Sequence, residues 1–184
     1  MSLVKEQQHK AFGALKGNFG YANTMETPRI VKVVVATGTG SVSDRNKVKL
    51  IEERLSKITG QKAAPRAAKK SIAAFKVREG DTVGFQTTLR GARMDAFLDK
   101  LIHVALPRTR DFRGLNRKAV DEIGNCTIGI KEHTIFPETS DEDIRDVFGL
   151  AITVVTTAKN KAEALAFLEH LGFPFKKEEE GKKR

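Results

Sequence analysis

Residues Ile30 to Thr37 read IVKVVVAT, a stretch in which six of the eight side chains are β-branched and only Lys32 is charged. β-branched side chains pack well on a pleated surface, and a run this apolar is expected of a central strand covered on one or both faces. The chain must therefore supply partner strands and a layer to cover them. Pro28 sets the extended entry, because proline fixes its own backbone and disfavours helix at the residue before it. Gly38–Ser41 ends the run.

The remaining pattern provides those partners. Residues 3–19 are expected to form a helix with Val4, Ala11, Phe12 and Leu15 roughly on one side. Ser43 or Asp44 can cap a second helix, whose Val48, Ile51, Leu55 and Ile58 recur at three- and four-residue spacing before Gly60 stops it. From Thr82 to Arg90 the chain alternates, with Val83, Phe85, Thr87 and Leu89 on one face and Gln86, Thr88 and Arg90 on the other. One face packs, and the other meets water or a partner. A third helix is expected from Ala92 to Leu106, with an apolar stripe of Met94, Phe97, Leu98, Leu101, Ile102 and Ala105 stopped by Pro107. Strands follow at Cys126–Ile130 and Leu150–Thr157, with a short acidic helix between them from Asp141. Asn160 and Glu163 form a capping-box signature for the last helix, which Gly172 and Pro174 end.

No repeat or linker divides the 184 residues, so a single domain over residues 1–177 is expected, followed by a charged and disordered tail over 178–184. Apolar residues make up 40% of the chain, enough to bury a core. No apolar stretch approaches the roughly 20 residues of a membrane span, and the N-terminus lacks the apolar centre of a signal peptide. The lone Cys126 excludes an intramolecular disulfide or a multi-cysteine metal site, in keeping with a reducing compartment. It reads as a small strand residue, since no histidine is locally paired with it. These features point to a cytoplasmic protein without a membrane partner.

Three features invite an enzymatic reading, and each has a plainer one. The Gly38–Ser41 turn between strand and helix resembles a phosphate-cradling loop, but it lacks the Lys-Ser/Thr of a P-loop and the third glycine of a dinucleotide fingerprint. Asp141, Glu142, Asp143 and Asp146 do not have calcium-loop spacing, and acids are favoured in the first turn of a helix. The histidines at 9, 103, 133 and 170 are scattered one per element, none at metal-ligand spacing to another. No catalytic constellation, metal site or cofactor site emerges.

Charge supplies the functional signal. Of the 33 lysines and arginines, 15 lie between Lys57 and Lys118 beside only five acids, so this segment carries +10, the net charge of the whole chain. Concentrated positive charge points to phosphates, whereas a merely soluble surface intersperses the two signs. Lys62, Arg66, Lys69, Lys70, Lys76, Arg78, Arg90 and Arg93 are interleaved with glycine and alanine, which allow close backbone approach. Gln61, Gln86 and Thr88 can read sugars and base edges. Aromatic residues are scarce there, only Phe75 and Phe85, with Phe85 on the packed face. Shape and backbone recognition of structured RNA fits this segment better than single-strand stacking.

Longer strings are recognisable as they stand. TGQKAAPRAAKKSIAAFKVREG (59–80), TTLRGARM (87–94), LPRTRDFRGL (106–115), GNCTIGIKEHTIFPE (124–138), GLAITVVTTAK (149–159) and FPFKK (173–177), with FGYANTMETPRI (19–30) in register, closely resemble the family of the bacterial large-subunit ribosomal protein numbered five. The resemblance is collinear over about residues 5–177. It implies an α/β fold of the α+β type, a single domain with a mainly antiparallel sheet, helices packed on one face and a concave face that binds 5S rRNA in the central protuberance.

Position by position, the resemblance puts RNA contacts at Gln61 with Lys62 beside it, and at Thr88 followed by Arg90, with Gln86 on the same face by alternation. The family's loop toward the P-site tRNA falls on residues 69–80, with Lys69, Lys70, Lys76, Arg78 and Gly80. Its intersubunit bridge toward a small-subunit head protein falls on Arg108, Arg110, Arg113, Glu138 and Asp141. Large-subunit rRNA and other central-protuberance proteins are implied as further partners. The chain departs from the family at Ala36, where asparagine is usual, at Cys126, where an aromatic is common, and in the charged extension after Lys177. The reading is a non-catalytic RNA-binding constituent of the cytoplasmic ribosome. A nucleotide-phosphate-binding enzyme using Gly38–Ser41 and a basic protein–protein adaptor are the alternatives.

Overall fold

A computed structural model describes residues 2–40, Val42, 44–139 and 147–176. The acidic segment around Asp141 and the tail over 178–184, like Ser41 and Ser43 of the first turn, lie outside the described residues.

The β-branched run forms β1 (Ile30–Gly38) at the centre of a five-stranded sheet. Its partners are β2 (Ala64–Ala67), β3 (Thr82–Leu89), β4 (Cys126–Ile130) and β5 (Leu150–Thr156), in the order β2-β3-β1-β5-β4, with every pair antiparallel. Among the described residues, four helices, α1 (Leu3–Phe19), α2 (Arg45–Thr59), α3 (Gly91–Lys100) and α4 (Lys161–His170), join the sheet in an α+β domain.

Alternation decides which sheet face they cover. Val33, Val35 and Thr37 of β1, Phe85, Thr87 and Leu89 of β3, and Ile152 and Val154 of β5 are buried. The apolar members of this set form one core with Leu55 and Ile58 of α2, Phe97 and Leu98 of α3, and Phe167 and Leu168 of α4. Fully burying a side chain such as Leu or Phe contributes about 1.5–3 kcal/mol, so this face accounts for the sheet's stability.

Local chemistry bounds α2 and starts α4 where the sequence predicts. Asp44 caps α2, its carboxylate accepting from the Asn46 N–H at 2.8 Å, and Gly60 stops it in the left-handed region at φ 64°. Asn160 accepts from the Glu163 N–H at 2.9 Å. The α1 N-terminus is held from another helix: Leu3 and Val4 donate their N–H groups to the Asp99 carboxylate at 3.1 and 2.9 Å. The predicted third helix is α-helical only to Lys100. Leu101–Ala105 continue it as a π turn, closed by the Leu106 N–H on the Leu101 carbonyl at 2.9 Å.

Edge strand β2 has no counterpart in the sequence reading. Its Ala-Pro-Arg-Ala has little intrinsic strand preference, and pairing with β3 makes it a strand, with Ala64 opposite Gln86 and Arg66 opposite Gly84. Pro65 is compatible with this place because β2 is an edge.

Candidate nucleic-acid interface

The face opposite the helices carries a single branched apolar side chain, Val34, in its central rows. Following the register across all five strands, Ala64, Gln86, Ala36, Ala151 and Gly129 stand in one row. Thr88, Val34, Thr153 and Thr127 form the next. The first row is a shallow trough with a single amide in it. The second is mostly hydroxyl, with Thr127 and Thr153 paired through their oxygens at 3.2 Å.

The predicted sheet residues converge here. Gln61, just beyond α2, reaches over to donate its amide to the Thr88 carbonyl at 3.4 Å, and Arg66 donates from Nε to the Gln86 amide oxygen at 2.8 Å. Gln61, Gln86 and Thr88 are half-buried, while Lys62 and Arg90 are exposed at the margin. Lys62 and Arg90 form no ion pair among the described residues, so their charge is available to phosphates. Sequence reasoning missed Thr127, Thr153 and Ala151, which share the face of Thr88. Alternation within β4 and β5 held the signal, but only the strand register tells which of their faces joins that of β3.

The basic loop is a structured extension of the β2–β3 hairpin. Ala68 and Asp81 close its base, the Ala68 N–H donating to the Asp81 carbonyl at 2.8 Å, and Gly80 donates back to the Ala68 carbonyl at 3.1 Å. Farther out, Ile72 and Val77 exchange backbone hydrogen bonds at 2.9 and 3.3 Å. Lys69, Lys70, Lys76 and Arg78 are exposed along it. Gly80 adopts φ 92°, a conformation that favours glycine.

Among the described residues no hydrogen bond or ion pair joins the predicted bridge residues to one another. Arg108, Arg110 and Arg113 fall on the loop after the π turn, all three exposed. Glu138 is instead engaged by Lys100, whose ammonium lies 2.5 Å from its carboxylate and 2.7 Å from the Ile58 carbonyl. Asp141 lies outside the described residues.

The enzymatic alternative loses its phosphate cradle. β1 runs through Gly38, the Thr39 N–H donates to the Val83 carbonyl at 2.9 Å, and the Asp44 carboxylate already occupies the α2 N-terminus. Cys126 is buried, and desolvation, with a smaller contribution from Asp121, pushes its thiol up to about 12. It is a protonated packing group. His133 is buried against Phe148, their rings 4.1 Å apart, with Arg54 at 3.4 Å, while His170 contacts the Gln7 carbonyl at 3.0 Å. Among the described residues no group of histidine, cysteine and carboxylates could hold a metal ion, and no helix is long and apolar enough to cross a membrane.

Known proteins with this sequence pattern make the family explicit. Residues 23–78 match the family described as ribosomal protein L5, and residues 82–175 match the model of that ribosomal family's C-terminus. The chain is 51% identical to the large ribosomal subunit protein uL5 of Natranaerobius thermophilus, over 94% of this chain and 97% of that one. It is 49% identical to uL5 of Trichlorobacter lovleyi, over 96% and 99%. With uL5 of Flavobacterium johnsoniae the identity is 45%, over 95% and 96%. Similarity across both segments and nearly the whole chain, on a sheet with one packed and one polar face, makes this chain a member of the ribosomal protein L5 family, a structural component of the large ribosomal subunit and not an enzyme.

Proposed function

We propose that the open sheet face binds 5S rRNA in the central protuberance, and that the loop over residues 69–80 reaches the P-site tRNA. The observation that carries the reading is the convergence of Gln61, Gln86, Thr88 and Arg66 around a trough of alanine and glycine. Small side chains let a sugar–phosphate backbone come close to the sheet. Hydroxyl and amide groups can then bond ribose and base edges, and Lys62 and Arg90 can neutralise phosphates along the margin. Each neutralised phosphate releases counterions and lowers the logarithm of affinity by about 0.7–0.9 per decade of salt.

Lys69, Lys70, Lys76 and Arg78 stand away from that face on the hairpin extension, free to meet a second RNA. Arg108, Arg110 and Arg113 are the charges offered to the small-subunit head, with Glu138 and Asp141 as the acidic side of the same bridge. Large-subunit rRNA and neighbouring proteins of the protuberance complete the partners of a protein working in the cytoplasmic ribosome.

The two jobs separate by mutation. Thr88→Val keeps shape while removing a hydroxyl and should weaken 5S rRNA binding by about 1–3 kcal/mol in a filter-binding titration. Neutralising Lys69, Lys70, Lys76 and Arg78 together should leave that titration nearly unchanged but speed release of P-site tRNA from assembled ribosomes. A loop variant that abolishes 5S binding, beside a silent Thr88→Val, would reverse the assignment.

A further inference from the structure

At the outer end of the basic loop stands Phe75, 73% exposed, in a chain that buries most of its other aromatic rings. Its exposure is built in. Residues Ala73–Phe75 make one 3-10 turn, Lys76 follows in the left-handed region at φ 52°, and the Ile72–Val77 backbone exchange clamps the turn from below. Two side-chain bonds brace the loop further: the Asp81 carboxylate accepts from the Arg78 N–H at 2.8 Å, and the Ser71 hydroxyl accepts from the Glu79 N–H at 2.9 Å. An ordered turn thus holds the ring in solvent.

The surroundings select what it meets. Phe75, Ile72, Val77 and Val83 give a groove of about 730 Å³ a mostly apolar lining, to which Lys69 and Lys70 also contribute. A mostly apolar surface that includes ammonium groups matches a nucleotide, base against the ring and phosphate against the lysines. An apolar protein side chain would use the apolar lining and leave the cations unmatched.

We propose that Phe75 is a stacking platform for an exposed nucleobase of the tRNA that the loop reaches, with Ile72 flanking the base and Lys69 and Lys70 holding its phosphates. This rests on the tRNA reading of the loop given above, and it adds a sequence-tolerant stacking contact to a surface otherwise defined by charge. Because the ring is exposed, substitutions there leave the core untouched, and 5S rRNA binding serves as the check on folding.

The test uses ribosomes whose only copy of this chain carries Phe75→Trp, Phe75→Leu or Phe75→Ala, or the four neutralised cations with Phe75 retained. The dissociation rate of P-site tRNA is the readout. Phe75→Trp should stay within about twofold of the native protein, while Phe75→Leu and Phe75→Ala should both release tRNA roughly fivefold faster or more, the lower range for loss of a base–aromatic stack. A native rate for Phe75→Leu with a fast Phe75→Ala would mean apolar packing against protein and overturn the proposal. Native rates for all three Phe75 variants, with fast release from the cation-neutralised variant, would overturn the stacking alone and leave the loop reading standing. Native rates for all four variants would overturn both.

Discussion

A single missing methyl sets how closely β3, which carries Gln86 and Thr88, approaches the central strand β1. At Gly84, opposite Gly38, an added Cβ would stand 2.6 Å from the Thr37 carbonyl oxygen, a separation that forces β3 away from β1. Gly129, in the same trough, has nothing within 4 Å of an added Cβ. Gly84→Ala should therefore cost about 1–3 kcal/mol, as overpacking at a tight position does, while Gly129→Ala should stay within about 0.5 kcal/mol. Urea unfolding midpoints of the two variants check this, and equal midpoints would show that β1 and β3 can part without cost. Ala36 lies in the same row, between Gln86 and Ala151. With no polar atom in its side chain, this position leaves hydrogen bonding to Gln86, Thr88 and Gln61 around it.

At the scale of elements, Tyr21 ties the segment after α1 to the first turn of α4. Its hydroxyl donates to the Glu163 carboxylate, which also accepts the Lys159 N–H at 2.7 Å, while Glu163 donates its own N–H to Asn160. Burial first, and the hydrogen bond to Glu163 second, raise the Tyr21 phenol well above its ordinary value of 10.0. The folded protein thus holds this proton at pH values where the unfolded chain releases it. The stability this contributes is complete below about pH 10 and is lost as pH rises beyond it. Tyr21→Phe should cost about 1–3 kcal/mol at neutral pH, because it leaves a carboxylate oxygen unpaired in a buried place, and should flatten the alkaline fall in stability. Cys126, raised from 9.0 to about 12, acts in the same direction and remains in the variant, so the fall should shrink without vanishing. Thermal unfolding at pH 7 and pH 10.5 measures both effects, and an unchanged alkaline slope would contradict the assignment.

Elements were legible where residue chemistry is strong. β-branched residues mark β1, alternation marks β3, and side-chain caps mark α2 and α4. β2 was not legible, since its strand state comes from the β3 edge and not from Ala-Pro-Arg-Ala itself. The π turn was hidden for a related reason, because the buried Leu101, Ile102 and Ala105 satisfy helical spacing whether the chain closes on the fourth or the fifth residue. Alternation exposed Gln86 and Thr88, the residue types of the basic segment singled out Gln61, and the resemblance put an RNA contact there. The exposure of Phe75 could not be read, because an aromatic between alanines and lysines is equally consistent with a packed loop.

At the scale of the molecule, the charge asymmetry and the two-faced sheet lead to one conclusion. Helices cover the apolar face, and the uncovered face is too polar to need covering by another protein layer. Within the +10 segment, Lys57 to Arg90, with eight basic and two acidic residues, supplies β2, β3 and the loop, so positive charge is concentrated beside the trough that Arg66 and Arg90 edge. Such charge attracts any RNA, whereas the placed amides and hydroxyls favour one. The central claim is the identity of that RNA. It is tested most directly by purifying the full chain from cells at moderate salt and sizing and sequencing the nucleic acid that accompanies it. The account predicts a single species, 5S rRNA, in about equimolar amount and much reduced by Thr88→Val. A heterogeneous mixture, or tRNA in equal proportion, would contradict it.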